Sequence, residues 1–219
     1  MDSEMVVFVA DAGSVSKGNF HWVTSASIDG ASDKVEQLAE NIVIELEAGR
    51  KVALGYESPL FVPLPPSHEK LGKARDGECT PETGNRPFNA GAGASLFATG
   101  IQSLVWVLGR IKSLRPSTTA CTSLGQFRSG AAEMLVWEAF VSGSEKAEPP
   151  SHVGDARLAV IAFEAAMHSD RALSAIRDDS VFSLAGAAIL RAGLSEDLSL
   201  LQQPCLVLRP LSKEAINGG

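Results

Sequence analysis

Three acidic residues occupy positions from which folding could gather them. Asp11 closes the apolar run Met5-Val6-Val7-Phe8-Val9-Ala10 and precedes the flexible stretch from Ala12 to Gly18. Glu57 closes a second apolar run, Val52-Ala53-Leu54-Gly55-Tyr56, which Ser58-Pro59-Leu60 terminates. Asp155 lies in Ser151-His152-Val153-Gly154-Asp155-Ala156, at the start of an apolar helical pattern. A single Asp or Glu is ordinarily a solvated surface group. Acids delivered from two strand ends and one helix start can converge, and converging carboxylate oxygens hold hard divalent cations. His152 lies three residues before Asp155, so the two share a helix face. It can serve as a ligand or proton carrier, or simply as a polar residue at a helix N-terminus. Such a group of ligands can hold Mg²⁺ or Mn²⁺ ions that polarise a phosphodiester and lower the pKa of a bound water.

The elements that must position these acids are legible in the hydrophobic pattern. Residues 5–10 predict a buried strand, and 19–28 a second one with Phe20 and Trp22 on one face. The Gly13 to Gly18 segment between them predicts a hairpin turn. Val35, Leu38, Ala39, Ile42, Val43 and Leu46 recur at helical spacing, with Asp33 and Glu36 as a capping pair and Gly49 as the stop. Val52 to Glu57 follows as a short strand. The Pro-, Gly- and charge-rich stretch 59–89 predicts a long surface loop. A helix over 94–114, a strand or alternatively a helix over 132–142, a helix over 152–168, a helix over 183–192 and a last strand at 205–208 complete the pattern. No third strand is evident before the helix that begins near residue 33. The order predicts one domain over 1–219, an α/β fold with a mixed sheet and helices on its faces. Neighbouring strand ends in such a sheet would bring Asp11 and Glu57 together.

Composition narrows the classes of function. The 219 residues suffice for a substantial core. With 45% hydrophobic and 21% charged residues, the chain resembles ordinary soluble proteins. The net charge of −7 argues against coating nucleic acid by charge alone. Two local basic groups stand out against it: Lys70, Lys73, Arg75 and Arg86, and Arg110, Lys112 and Arg115. In the long loop, Arg75 and Arg86 read as solvated surface groups that could instead contact a phosphate or other substrate anion. Glu138, with Glu133 nearby, reads as a solvated strand face that could instead add a fourth carboxylate. Cys79, Cys121 and Cys205 form no CxxC pair, which suggests neither a disulfide framework nor a zinc knuckle and fits a reducing, cytoplasmic setting. The N-terminus lacks a signal-peptide pattern, and the apolar runs predict no membrane span. Oligomeric state is not legible.

Asp11 after its strand, Glu57 followed by Ser58-Pro59-Leu60, and His152-x-x-Asp155-Ala156 opening a helix together resemble the ribonuclease-H-like superfamily. Within it they are similar to RuvC-type Holliday-junction resolvases. The stretch Gly55 to Pro63 is also similar to an uncharacterised family of predicted nucleases with this fold. The resemblance covers residues 5–168. It implies a magnesium- or manganese-dependent nuclease, a hydrolase of nucleic acid, with Asp11, Glu57 and Asp155 as metal ligands and His152 as a fourth catalytic residue. The superfamily usually opens with three antiparallel strands. A catalytically silent binding or scaffold protein with the same fold is the alternative. Asp11-Ala12-Gly13-Ser14-Val15-Ser16-Lys17 also resembles the first phosphate loop of actin-like ATPases and sugar kinases, which enclose a nucleotide between two such domains. No GxxxxGK[ST] loop and no GxSxG elbow is present.

Overall fold

The computed structural model describes residues 5–27, 31–79, 87–141, 146–149, 151–168 and 173–210. The chain opens with β1 (Met5–Ala12) and β2 (Phe20–Thr24), an antiparallel hairpin around the expected turn. A third strand, β3 (Ala31–Ser32), continues it by pairing Trp22 with Ser32 and Val23 with Ala31. Two residues are too short for any alternation to register, so the sequence pattern misses this strand. Helix α1 (Val35–Glu47) follows. Its expected Asp33–Glu36 cap does not form. Ser32 Oγ instead accepts from Lys34 N at 3.1 Å and donates to Gln37 Oε1 at 2.7 Å. Gly49, at φ 77°, closes the helix end in the left-handed conformation that favours glycine.

Strand β4 (Lys51–Glu57) returns parallel to β1. The segment that follows is not only surface loop: β5 (Phe61–Pro63) lies inside it, and Arg75 and Glu78 are buried. Helix α2 (Gly91–Leu114) leads to β6 (Ala120–Cys121), the short α3 (Leu124–Ser129) and β7 (Met134–Ala139). Then come α4 (His152–Met167), β8 (Val181–Ser183), α5 (Leu184–Ala192) and β9 (Val207–Leu208). Among the described residues the main sheet has seven strands, in the order β3-β2-β1-β4-β7-β6, with β9 also on β7. β5 and β8 pair separately. The protein is thus a mixed α/β structure with helices flanking a mixed sheet.

Strand alternation divides the core in two. Phe8, Ala10, Leu54, Tyr56 and Val136 pack under α1, α2 and α5, against Leu38, Ile42, Leu104, Leu108 and Ile189. Val7, Val9, Ala53, Leu135 and Trp137 pack on the other face under α4, against Ala156, Ala159 and Phe163. By length and composition Gly93–Leu114 is long and apolar enough to cross a membrane, which the sequence reading did not recognise. Leu104, Val107, Leu108 and Ile111 of this helix are fully buried against the sheet, which accounts for its apolar stripe.

Gly55 shows how closely the α4 face is packed. A Cβ built there would lie 2.5 Å from Trp137 Cζ2, and the indole ring stands 4.8 Å from the Phe163 ring. Gly55→Ala must displace that indole, and overpacking of this kind costs about 1–3 kcal/mol. At this chain size each kcal/mol lowers Tm by about 2–4 °C, so a melt drop of up to roughly 10 °C is the expected result.

Candidate functional site

The parallel register aligns Asp11 of β1 with Glu57 of β4, at the C-terminal ends of adjacent strands. Parallel neighbours in register point to the same face. Both acids follow residues of the α4 side (Val9, Gly55), so both project toward α4. Both are buried. The first turn of α4 supplies Asp155, also buried, and half-exposed His152. Ser151 caps this helix by accepting from Gly154 N at 2.9 Å. An acid in a first helical turn is favoured by the helix dipole.

His152 Nδ1 meets Asp11 Oδ2 at 2.5 Å. Asp155 Oδ1 accepts from Ala147 N at 2.7 Å, and its Oδ2 stands 3.3 Å from Lys146 Nζ. Glu57 Oε2 is buried and has no hydrogen-bond partner. Burial pushes the Glu57 carboxyl well above the usual carboxylate range, and the negative charges of Asp11 and Asp155 push it further, against the opposing pull of Lys146. Burial also raises the Asp11 carboxyl, with His152, His21 and Lys146 opposing. The three acids that the sequence singled out therefore share one electrostatic environment. Among the described residues, however, no three His, Cys, Asp or Glu side chains stand close enough together to enclose a metal ion as placed. Among the described residues, the Lys146 ammonium pairs with Asp155 at this site.

Two participants escape a reading of the sequence alone. His21 lies opposite Asp11 in the β1–β2 register, and its ring centroid is 5.4 Å from that of His152. The alternation that turns Phe20 and Trp22 inward was a usable signal, since it sends His21 to the other face. Lys146 carries no comparable signal, because it lies in an irregular segment.

The other candidates fall elsewhere. Glu138 aligns with Tyr56, so it points to the opposite face from Asp11 and Glu57. It is not a solvated strand residue. It is buried, and it accepts from Arg75 Nη1 and Nη2 at 2.7 Å each and from Leu60 N at 2.9 Å. Arg75 also donates to Glu78 Oε1 from Nε and Nη2, and its guanidinium lies 4.9 Å from the Phe61 ring centroid. Its donors face inward to these carboxylates, so a buried ion-pair network stands where an exposed cation, solvated or on a phosphate, was expected. Arg86 lies outside the described residues. Glu133 pairs with Arg115 at 2.7 Å near the surface.

Comparison of the chain with known protein families, characterised proteins and solved structures finds no match.

A stability consequence follows from Glu57. Its raised carboxyl means that the folded chain holds a proton that the unfolded chain would release. Stability present below the ordinary carboxylate range is therefore lost as pH rises from there through the shifted value. Glu57→Gln removes the titration. The variant is expected to melt increasingly higher than the parent as pH rises through the shifted value, by about 2–4 °C for each kcal/mol of relieved desolvation. The two melts should converge near pH 4, where thermal unfolding series across pH check the sign.

Proposed function

We propose that this protein is a ribonuclease-H-like, divalent-metal-dependent phosphodiester hydrolase acting on nucleic acid, with Mg²⁺ or Mn²⁺ bound by Asp11, Glu57 and Asp155. The observation that carries the reading is the in-register pairing of Asp11 with Glu57, with Asp155 placed over them by the first turn of α4. The antiparallel β1-β2-β3 opening agrees with the superfamily that the motifs resemble. The donor chemistry also fits, since all three acids offer hard carboxylate oxygens and Glu57 Oε2 is buried without a partner. When bound, the ions would activate water and steady the charge on the phosphodiester oxygens.

The chain's own residues have separable roles in this reading. Asp11 and Glu57 present carboxyl oxygens side by side at adjacent strand ends, and a bound divalent cation would favour the ionised form of both. Asp155 adds a carboxylate from a helix end, where Lys146 pairs with it; a bound divalent cation would take over that neutralising role. His152, fixed by Asp11 and half-exposed, is placed to carry a proton between the site and solvent.

One observation favours a second reading, a non-catalytic binding or scaffold protein. Lys146 already supplies a positive partner to Asp155 within 3.3 Å. Melting curves in Mn²⁺ and Mg²⁺ separate the two. The nuclease reading expects a Tm rise with metal that Asp155→Asn abolishes and that Lys146→Met enlarges. A melt indifferent to both ions in the parent and in Lys146→Met would overturn it and leave the scaffold.

A further inference from the structure

The basic group around Arg110 is not absorbed by the carboxylate site. Helix α2 packs on the sheet face opposite α4, with Val105 against the core and Trp106, Gly109 and Arg110 beside a hollow at its side. Arg191 comes from the last turn of α5, and the two arginines and the indole line one hollow between the helices. A second hollow, lined by Ser14, Ser16, Thr99 and Gln102, meets the first at Trp106. Trp106 is 43% exposed, and a side chain at Gly109 would enter open space, so the ground beside the indole is clear. No Asp or Glu lines either hollow among the described residues, in a chain whose net charge is −7. Arg110 Nε is buried and has no hydrogen-bond partner.

An exposed indole lining one hollow with two arginines, with hydroxyl and amide donors lining the next, is chemistry suited to a ring and phosphates together. Bases stack on aromatic faces whatever their identity, and arginines pair with the phosphates between them. From Thr99 to Arg110 the helix runs about 16 Å at 1.5 Å per residue, room for a short single-stranded segment. We propose that this groove is a second binding site, for a short single-stranded nucleic-acid segment. A base lies on Trp106, phosphates pair with Arg110 and Arg191, and Ser16 and Gln102 donate to the strand beyond. The site is on the other side of the sheet from Asp11 and Glu57, so it holds a strand and does not cut it. It stands on its own observations and does not depend on the metal reading.

Tryptophan emission tests it directly. The chain has three tryptophans; Trp22 and Trp137 are 4% and 0% exposed, which leaves Trp106 as the quencher-accessible one. Titration of the full chain with oligothymidylate at low salt is expected to quench emission and to protect it from acrylamide. Arg191→Gln, an exposed substitution, is expected to weaken binding several-fold, and Trp106→Ala by about tenfold, both read by anisotropy of a labelled oligonucleotide. Affinity should fall steeply as salt is raised. Asp155→Asn should keep the quench even where it loses any metal response, which separates the two sites. Unchanged emission at saturating oligonucleotide would overturn the proposal, as would binding that both variants leave intact. Indole protection that instead follows protein concentration without oligonucleotide, with a dimer in sedimentation, would also overturn it and assign the groove to a second copy.

Discussion

Asp11→Asn is expected to lower metal-dependent phosphodiester cleavage by at least about 100-fold while leaving the protein folded. Even partners outside a metal's direct ligands are worth about 10–100-fold, and Asp11 is proposed as a direct ligand. The substitution changes two further things that a merely structural residue would not. Asp11 is among the charges that hold the Glu57 carboxyl high, so its neutralisation lets Glu57 ionise at lower pH. It also removes the charged acceptor of His152 Nδ1. The parent rate should rise with pH through the range in which the raised Asp11 and Glu57 carboxyls ionise. In Asp11→Asn the residual rate should begin its rise at lower pH. Gel assays on branched and single-stranded DNA and RNA with Mn²⁺, run across pH, check both statements. Equal rates in parent and variant, with metal bound by both, would remove Asp11 from the chemistry.

Arg75→Met is expected to be the most damaging single substitution for stability. It leaves Glu138 and Glu78 in the interior without their shared guanidinium, and breaking a buried pair in this way costs about 3–5 kcal/mol. For a chain of this size the melt should fall by roughly 6–20 °C. The loss is large beside a typical total stability of about 5–15 kcal/mol. Pairing with both carboxylates raises the Arg75 guanidinium above its ordinary value despite its burial, so ordinary pH changes do not discharge it. The partner variant supplies the control. Arg75→Met with Glu138→Gln removes two of the three charges and leaves Glu78, and the double variant should still be markedly more stable than the sum of the single losses. Additive losses would show that packing of Arg75 on Phe61, not charge, holds this segment. The network also tethers β5 to β7 through Leu60 N, so its loss should expose residues 59–79 to proteolysis first.

Some residues can be placed from sequence because their positions follow from local pattern, and others cannot. Asp11 and Glu57 each end a run of apolar residues, and a strand that enters a core must leave it at such a point. Parallel pairing then puts the two ends side by side. The amphipathic pattern of α1 and the apolar runs of β1, β4 and α4 carry their own burial, because period and hydrophobicity are local properties. Which face a residue takes is a matter of register, and register is set by neighbours distant in the chain. Glu138 illustrates the difference: its strand was legible, but its pairing with Tyr56 sends it away from the carboxylates and toward Arg75. Arg75 sits in a Pro- and Gly-rich stretch with no periodicity, and only folding shows that it turns inward against two acids. The placing of Lys146 beside Asp155, and of Trp106 between two arginines, likewise depends on segments that meet only in three dimensions. The amino-acid order alone determined the elements and the acids at their ends, since both follow from local pattern. Tertiary structure decided partners, faces and charge balance, since these depend on long-range packing.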